Sequence, residues 1–145
     1  MKGKIIALLM LMVILLAACG SNKTASDPTP GTFSGKTSQG NIFTLVVKNT
    51  PNGLAVTSVQ YKVKVSGSGW SVTIDYVQPL DCLLYIKEGR FSGSVELNGT
   101  DAPAEFSGAF FEEKLVEGRF KQTKEHPQGL GSGTADVTFS ADRSE

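Results

Sequence analysis

From Thr32 to Ala141 the chain repeats one pattern, an apolar side chain at every second position with a polar one between. Val59, Tyr61, Val63 and Val65 alternate with Gln60, Lys62 and Lys64, and Trp70, Val72, Ile74 and Tyr76 alternate with Ser71, Thr73 and Asp75. Phe43, Leu45 and Val47 precede them. Leu80, Cys82, Leu84 and Ile86 follow, then Phe91, Val95 and Leu97, and finally Ala135, Val137, Phe139 and Ala141. Successive side chains of an extended strand point to opposite faces, so a period of two means strands with one face buried and one wet. No segment carries a helical period. The fold expected is therefore all-β and antiparallel, a β-sandwich of about eight strands, with a small closed β-barrel as the alternative. A barrel would pair the first strand with the last around a closed sheet.

Turn chemistry separates the strands. Ser38-Gln39-Gly40-Asn41, Pro51-Asn52-Gly53, Ser66-Gly67-Ser68-Gly69, Lys87-Glu88-Gly89 and Asn98-Gly99-Thr100-Asp101 supply Gly or Asn where φ must be positive. Short spacings of this kind join antiparallel neighbours. Phe106-Ser-Gly-Ala-Phe110 and Val116-Glu-Gly-Arg-Phe120 flank a further turn at Phe111 to Leu115. Each places a glycine in phase with inward apolar residues, which marks a bend or a close backbone approach. Tyr61, Trp70 and Tyr76 fall on the core phase. Leu83, Tyr85, Phe111 and Leu115 fall off it and are expected on the outer faces, some of them covered by the N-terminal segment or an edge loop.

The opening Gly31-Thr-Phe-Ser-Gly, the Gly40 turn and the Ile42-Phe-Thr-Leu-Val-Val strand resemble the start of small secreted bacterial β-domains. Gly89-Arg-Phe-Ser and the Phe-x-Gly-x-Phe hairpin resemble the same group, over most of residues 31 to 141. That resemblance implies a compact all-β domain and no particular activity. Where the group has a late cysteine and tryptophan, this chain has Gly133-Thr134 and Phe139, so Cys82 has no such partner.

Ahead of the domain the chain changes character. Met1-Lys2-Gly3-Lys4 is basic, Ile5 to Leu16 is apolar and uncharged, and Leu16-Ala17-Ala18-Cys19-Gly20 follows. This is the three-part layout of an export signal, with an apolar run shorter than the roughly 20 residues that span a bilayer. Leu16-Ala17-Ala18-Cys19 resembles the bacterial lipobox, which implies cleavage between Ala18 and Cys19 and a thioether-linked lipid on Cys19. Two acyl chains anchor stably, since each buried CH₂ contributes about 0.8 kcal/mol. Residue 20 is Gly, not the Asp that resembles an inner-membrane retention signal. The expected layout is a signal peptide over 1–18, an acylated cysteine with a flexible tether over 19–31, a single domain over 32–141 and a tail over 142–145. The expected location is extracytoplasmic, on the outer membrane if the cell has one and otherwise on the outer face of the cell membrane.

The mature part carries little chemistry. Without Lys2 and Lys4, twelve basic residues face fourteen acidic ones, a balance that argues against nucleic acid as a partner. Only Cys82 remains once Cys19 is alkylated, so no disulfide forms within the chain and the core alone must hold the domain. Cys82, in phase with Leu80 and Leu84, is expected to be a buried thiol acting as a small hydrophobe, with a disulfide between two chains as the alternative. His126 is the sole histidine and sits in the Lys124–Gly129 loop, short of a metal set or a triad. The Gly129–Gly133 run opens a strand, not the helix a phosphate loop needs. Glu112, Glu113 and Glu117, with Lys114 among them, read as a solvated hairpin tip. Asn98-Gly99-Thr100 fits a glycosylation pattern and reads better as a turn. The expectation is a membrane-anchored, non-catalytic surface or envelope binding module with no catalytic or metal residues and no cofactor, held by membrane lipid through Cys19. The alternative is a carrier of a small apolar ligand inside a barrel.

Overall fold

The computed structural model describes residues 23–95 and 103–144. Among them run eight strands: β1 (Gly31–Thr37), β2 (Ile42–Thr50), β3 (Gly53–Gly67), β4 (Trp70–Tyr85), β5 (Arg90–Val95), β6 (Ala104–Phe111), β7 (Leu115–Glu125) and β8 (Ser132–Arg143). All ladders are antiparallel, in the order β4-β3-β2-β1-β8-β7-β6-β5. The all-β antiparallel expectation holds. Leu97 and the Asn98–Asp101 turn lie outside the described residues.

The sandwich has two layers, β1–β4 and β5–β8, continuous along one side. There β1 pairs β8 from Phe33↔Arg143 to Thr37↔Phe139, and Ser66 of β3 reaches Thr134 of β8. The first and last strands thus do pair. On the other side β4 and β5 are the two ends of the sheet order. They are linked by the Lys87–Arg90 hairpin turn, where each of these residues donates its N–H to the other's carbonyl at 2.8 and 2.9 Å. Leu84 of β4 there leans against Gly93 of β5, which has no side chain to keep it away.

Ring contacts cross between the layers. Phe43 of β2 stacks on Phe139 of β8 at 4.0 Å and faces Phe120 of β7 at 6.0 Å. Tyr61 of β3 meets Phe120 at 4.7 Å and Phe106 of β6 at 5.9 Å, and Phe33 of β1 meets Phe110 of β6 edge-on at 5.2 Å. Such pairs add about 0.5–1.5 kcal/mol each beyond the area they bury. Gln122 is also fully buried, and its Oε1 accepts a 3.0 Å hydrogen bond from the Tyr61 hydroxyl.

The alternation breaks at one place. Opposite β2, Val46 pairs Ser58 and Val47 pairs Val56, so Thr57 is an extra residue on β3. On the other flank of the same point, Ser58 pairs Pro79 while Val56 pairs Leu84, so three more residues are spent on β4 than on β3. Bulges of this kind bend a strand and reset its phase. Cys82 sits in that excursion and is exposed, not buried as its phase suggested. Trp70 departs from expectation as well. It opens β4 at the end of the sandwich, half-buried, with its ring over Gly67 and Gly133 and 5.1 Å from that of His126.

Because every strand reverses the last, the turns divide between two ends. The proximal end holds the start of β1, the end of β8 and the turns after β2, β4 and β6. The distal end holds the turns after β1, β3 and β7.

Candidate functional site

The Cys19 lipidation site and the Ala18–Cys19 cleavage site lie outside the described residues. Most of the tether, residues 23–30, does not hang free as a flexible linker would. It lies against the proximal end. Ala25 forms a β-bridge with Phe111, and the Ser26 N–H donates to the Phe110 carbonyl at 3.0 Å. Asp27 Oδ1 accepts the Gly89 N–H at 2.7 Å, Pro28 is buried, and Arg143 Nη2 donates to the Pro30 carbonyl at 3.1 Å. Lys23 pairs with Glu117 at 3.1 Å and stands 5.6 Å from the centre of the Phe111 ring, while Thr29 donates to Glu113 at 3.2 Å. The segment lacks apolar periodicity, and its backbone and short polar groups make the contacts instead. Its sequence carries no signal for docking. The same strap covers Phe111, one of the apolar residues placed on an outer face by its phase.

The receiving turns are unusual in backbone. Glu88, Glu112 and Glu113 are the non-glycine residues with positive φ among those described, at 50°, 53° and 60°. Glu88 precedes Gly89 in the hairpin turn after β4, and Glu112 and Glu113 are consecutive in the turn after β6. A Cβ on Gly89, itself at φ 70°, would run into the Ser26 backbone, so glycine is needed there for both angle and closeness. The three-glutamate tip is therefore partly engaged, since Glu113 and Glu117 hold the strap.

A second feature lies on the outer face of β5–β7. Serines, glycines and charged residues, with aromatic and leucine side chains at the edges, line two adjoining shallow depressions of about 550 and 800 Å³. Ser92 of β5, Ser107 of β6 and Arg119 of β7 form one cross-strand row, continued by Thr138 of β8. Ser94, Glu105, Lys121 and Asp136 form the next. Arg119 grips Asp136 with both Nε and Nη2 in a two-pronged ion pair. That hydrogen bond raises the guanidinium further above its ordinary pKa and holds the Asp136 carboxyl below the usual carboxylate range. Tyr85 and Leu83 close the side nearest β4. The sequence shows every one of these residues, but the rows exist only through the register that pairs them.

His126 lies in the loop after β7, with its Nδ1 accepting the Gln128 N–H at 3.1 Å. Among the described residues no group of three or more His, Cys, Asp or Glu is arranged to hold a metal ion. No helix among them is long and apolar enough to cross a membrane. No protein-family model matches this chain, and no curated protein matches it. Gln122 and Thr37 are buried polar residues that the pattern reading missed, and Gln122 is fully buried. Its signal was its phase, two residues beyond Phe120 on the inward face.

Proposed function

We propose that this chain is an exported lipoprotein, acylated at Cys19 by membrane lipid, whose β-domain is a non-catalytic binding module of the cell envelope. The observation that carries the reading is the junction of Leu16-Ala17-Ala18-Cys19 with the domain. The lipobox ends four residues before Lys23, which is already laid against the fold. The basic and apolar segments before it fit an export signal. The outer face of β5–β7 supports the binding half of the proposal. It offers hydroxyls, an oriented guanidinium and an exposed Tyr85 over an open surface, which suits a polar macromolecule more than a small enclosed ligand. The interior, where an apolar ligand would have to sit, is filled by the rings of Phe43, Tyr61, Phe106, Phe120 and Phe139 in mutual contact.

The test is fractionation of cells making the wild-type chain or Cys19→Ser, with fatty-acid labelling. The wild type is expected in the membrane fraction and labelled, and the serine variant released and unlabelled with its fold intact. A serine variant that stays tightly bound overturns the acylation reading. Cross-linking from intact cells, compared with an Arg119→Ala variant, reads the partner.

A further inference from the structure

The length of the linker and the way it is held bear on how the domain sits. Twelve free residues from Gly20 to Gly31 would let the domain wander roughly 40 Å from its anchor. Eight of them, 23–30, are instead fixed along the proximal end by the Ala25–Phe111 bridge, the Ser26–Phe110 and Asp27–Gly89 hydrogen bonds and the Lys23–Glu117 pair. Only the four steps from Cys19 to Lys23 lie outside these contacts, at most about 14 Å of chain.

We infer that the strap docks the domain end-on against the lipid surface, with the proximal turns facing the bilayer and the distal end pointing away from it. This rests on the acylation of Cys19 proposed above. The partner is the bilayer surface itself, identified by where the strap ends and how little chain remains. The charges gathered at this end are mixed, with Lys23, Lys87 and Lys114 among Glu88, Glu112 and Glu113. The surface therefore needs no attraction to anionic lipid, because the covalent anchor supplies the attachment and the strap supplies only the orientation. The positive-φ residues point the same way. Strained backbone persists where surrounding contacts over-determine it, and among the described non-glycine residues it is confined to the two turns that grip the strap. Trp70, His126 and Leu130 lie at the distal end, with Leu130 exposed.

The experiment uses the full-length acylated protein in vesicles of phosphatidylethanolamine and phosphatidylglycerol carrying a headgroup-attached nitroxide quencher. In a Cys82→Ser background, a fluorophore is placed through Lys114→Cys at the proximal end or Gln128→Cys at the distal end. β7 separates the two sites by roughly 35 Å. Quenching severalfold stronger at position 114 than at 128 is expected. Adding Lys23→Ala and Asp27→Ala, both surface substitutions, is expected to shrink that difference while the protein still floats with the vesicles. Equal quenching at the two sites in acylated, vesicle-bound protein overturns the inference and leaves the lipoprotein reading standing. A chain that carries no fatty acid overturns both.

Discussion

Tyr61 and Gln122 bring a hydrogen bond into a largely apolar interior. Burial pushes the Tyr61 phenol well above its ordinary pKa, the Gln122 hydrogen bond opposes this, and nearby Tyr76 adds to it. Tyr76 is raised too, first by burial and then by the charge of Asp81. Both raised values mean that the folded state prefers the protonated phenol. Their contribution to stability is therefore complete below the ordinary tyrosine pKa of about 10 and is lost as pH rises above it. Tyr61→Phe is expected to cost about 1–2 kcal/mol at neutral pH, because Gln122 Oε1 loses a buried donor. The same variant should lose less stability than wild type between neutral pH and strongly alkaline pH. Denaturant titrations at both pH values decide it, and parallel losses in the two proteins would mean that Tyr61 is not titrating from a buried site. The inward phase of Tyr61 was legible in the sequence. Its partner was not, because glutamine on an inward position looks like an error in the pattern until the facing layer is known.

At the scale of elements, the hairpin of β6 and β7 shows why two glycines face each other. Gly108 and Gly118 pair directly across the ladder. A Cβ on Gly108 would come within 2.6 Å of the Phe91 ring, and one on Gly118 would collide with the Phe139 ring and the Ser107 carbonyl. The absent side chains are filled by phenylalanines from β5 and β8, which is how four strands close over one aromatic cluster. Gly108→Val or Gly118→Val is expected to lower stability by about 1–3 kcal/mol or more, through overpacking against rings and a carbonyl that have no room to move. Glu112→Gly, in the turn of the same hairpin, is expected to raise stability by up to about 1 kcal/mol, since a left-handed residue with a side chain is replaced by one without. Thermal melts of the three variants give the ordering, and glycine-to-valine variants that melt with wild type would place these glycines outside the packed layer. The need for glycine here was readable from spacing alone, as was nearly every strand. What could not be read was the corner at Thr57 and residues 80–83. Bulges leave no mark in a two-residue period except a change of phase, and Cys82 sat close enough to Leu80 and Leu84 to look in step with them.

For the whole molecule the decisive question is whether the chain before Gly31 belongs to the fold. Composition argues that it does not, since it is short, polar and rich in Ser, Thr and Pro, which is how linkers are made. The contacts argue that it does. They differ from the core in kind, because they are mostly polar, joining strap backbone and side chains to the end of β6, the start of β7 and the turns after β4 and β6. A sequence window cannot register such a match, as half of it lies more than 60 residues away. A domain beginning at Gly31 is therefore expected to fold with the same β-sheet and to melt a few degrees below one beginning at Gly20, since about 1 kcal/mol shifts the midpoint by roughly 4 °C at this size. Asp27→Ala in the longer protein should reproduce part of that loss by removing a single contact, because the Gly89 N–H then has only water to bond. Hydrogen exchange makes the distinction sharper than melting. The Ser26 amide, which donates to Phe110, and the Gly89 amide, which donates to Asp27, should both be protected in the longer protein. In the Asp27→Ala variant Gly89 alone should become fast. Free exchange at both amides in the longer wild-type protein, with identical melting of the two lengths, would return the segment to a loose tether and free the domain to swing from its anchor.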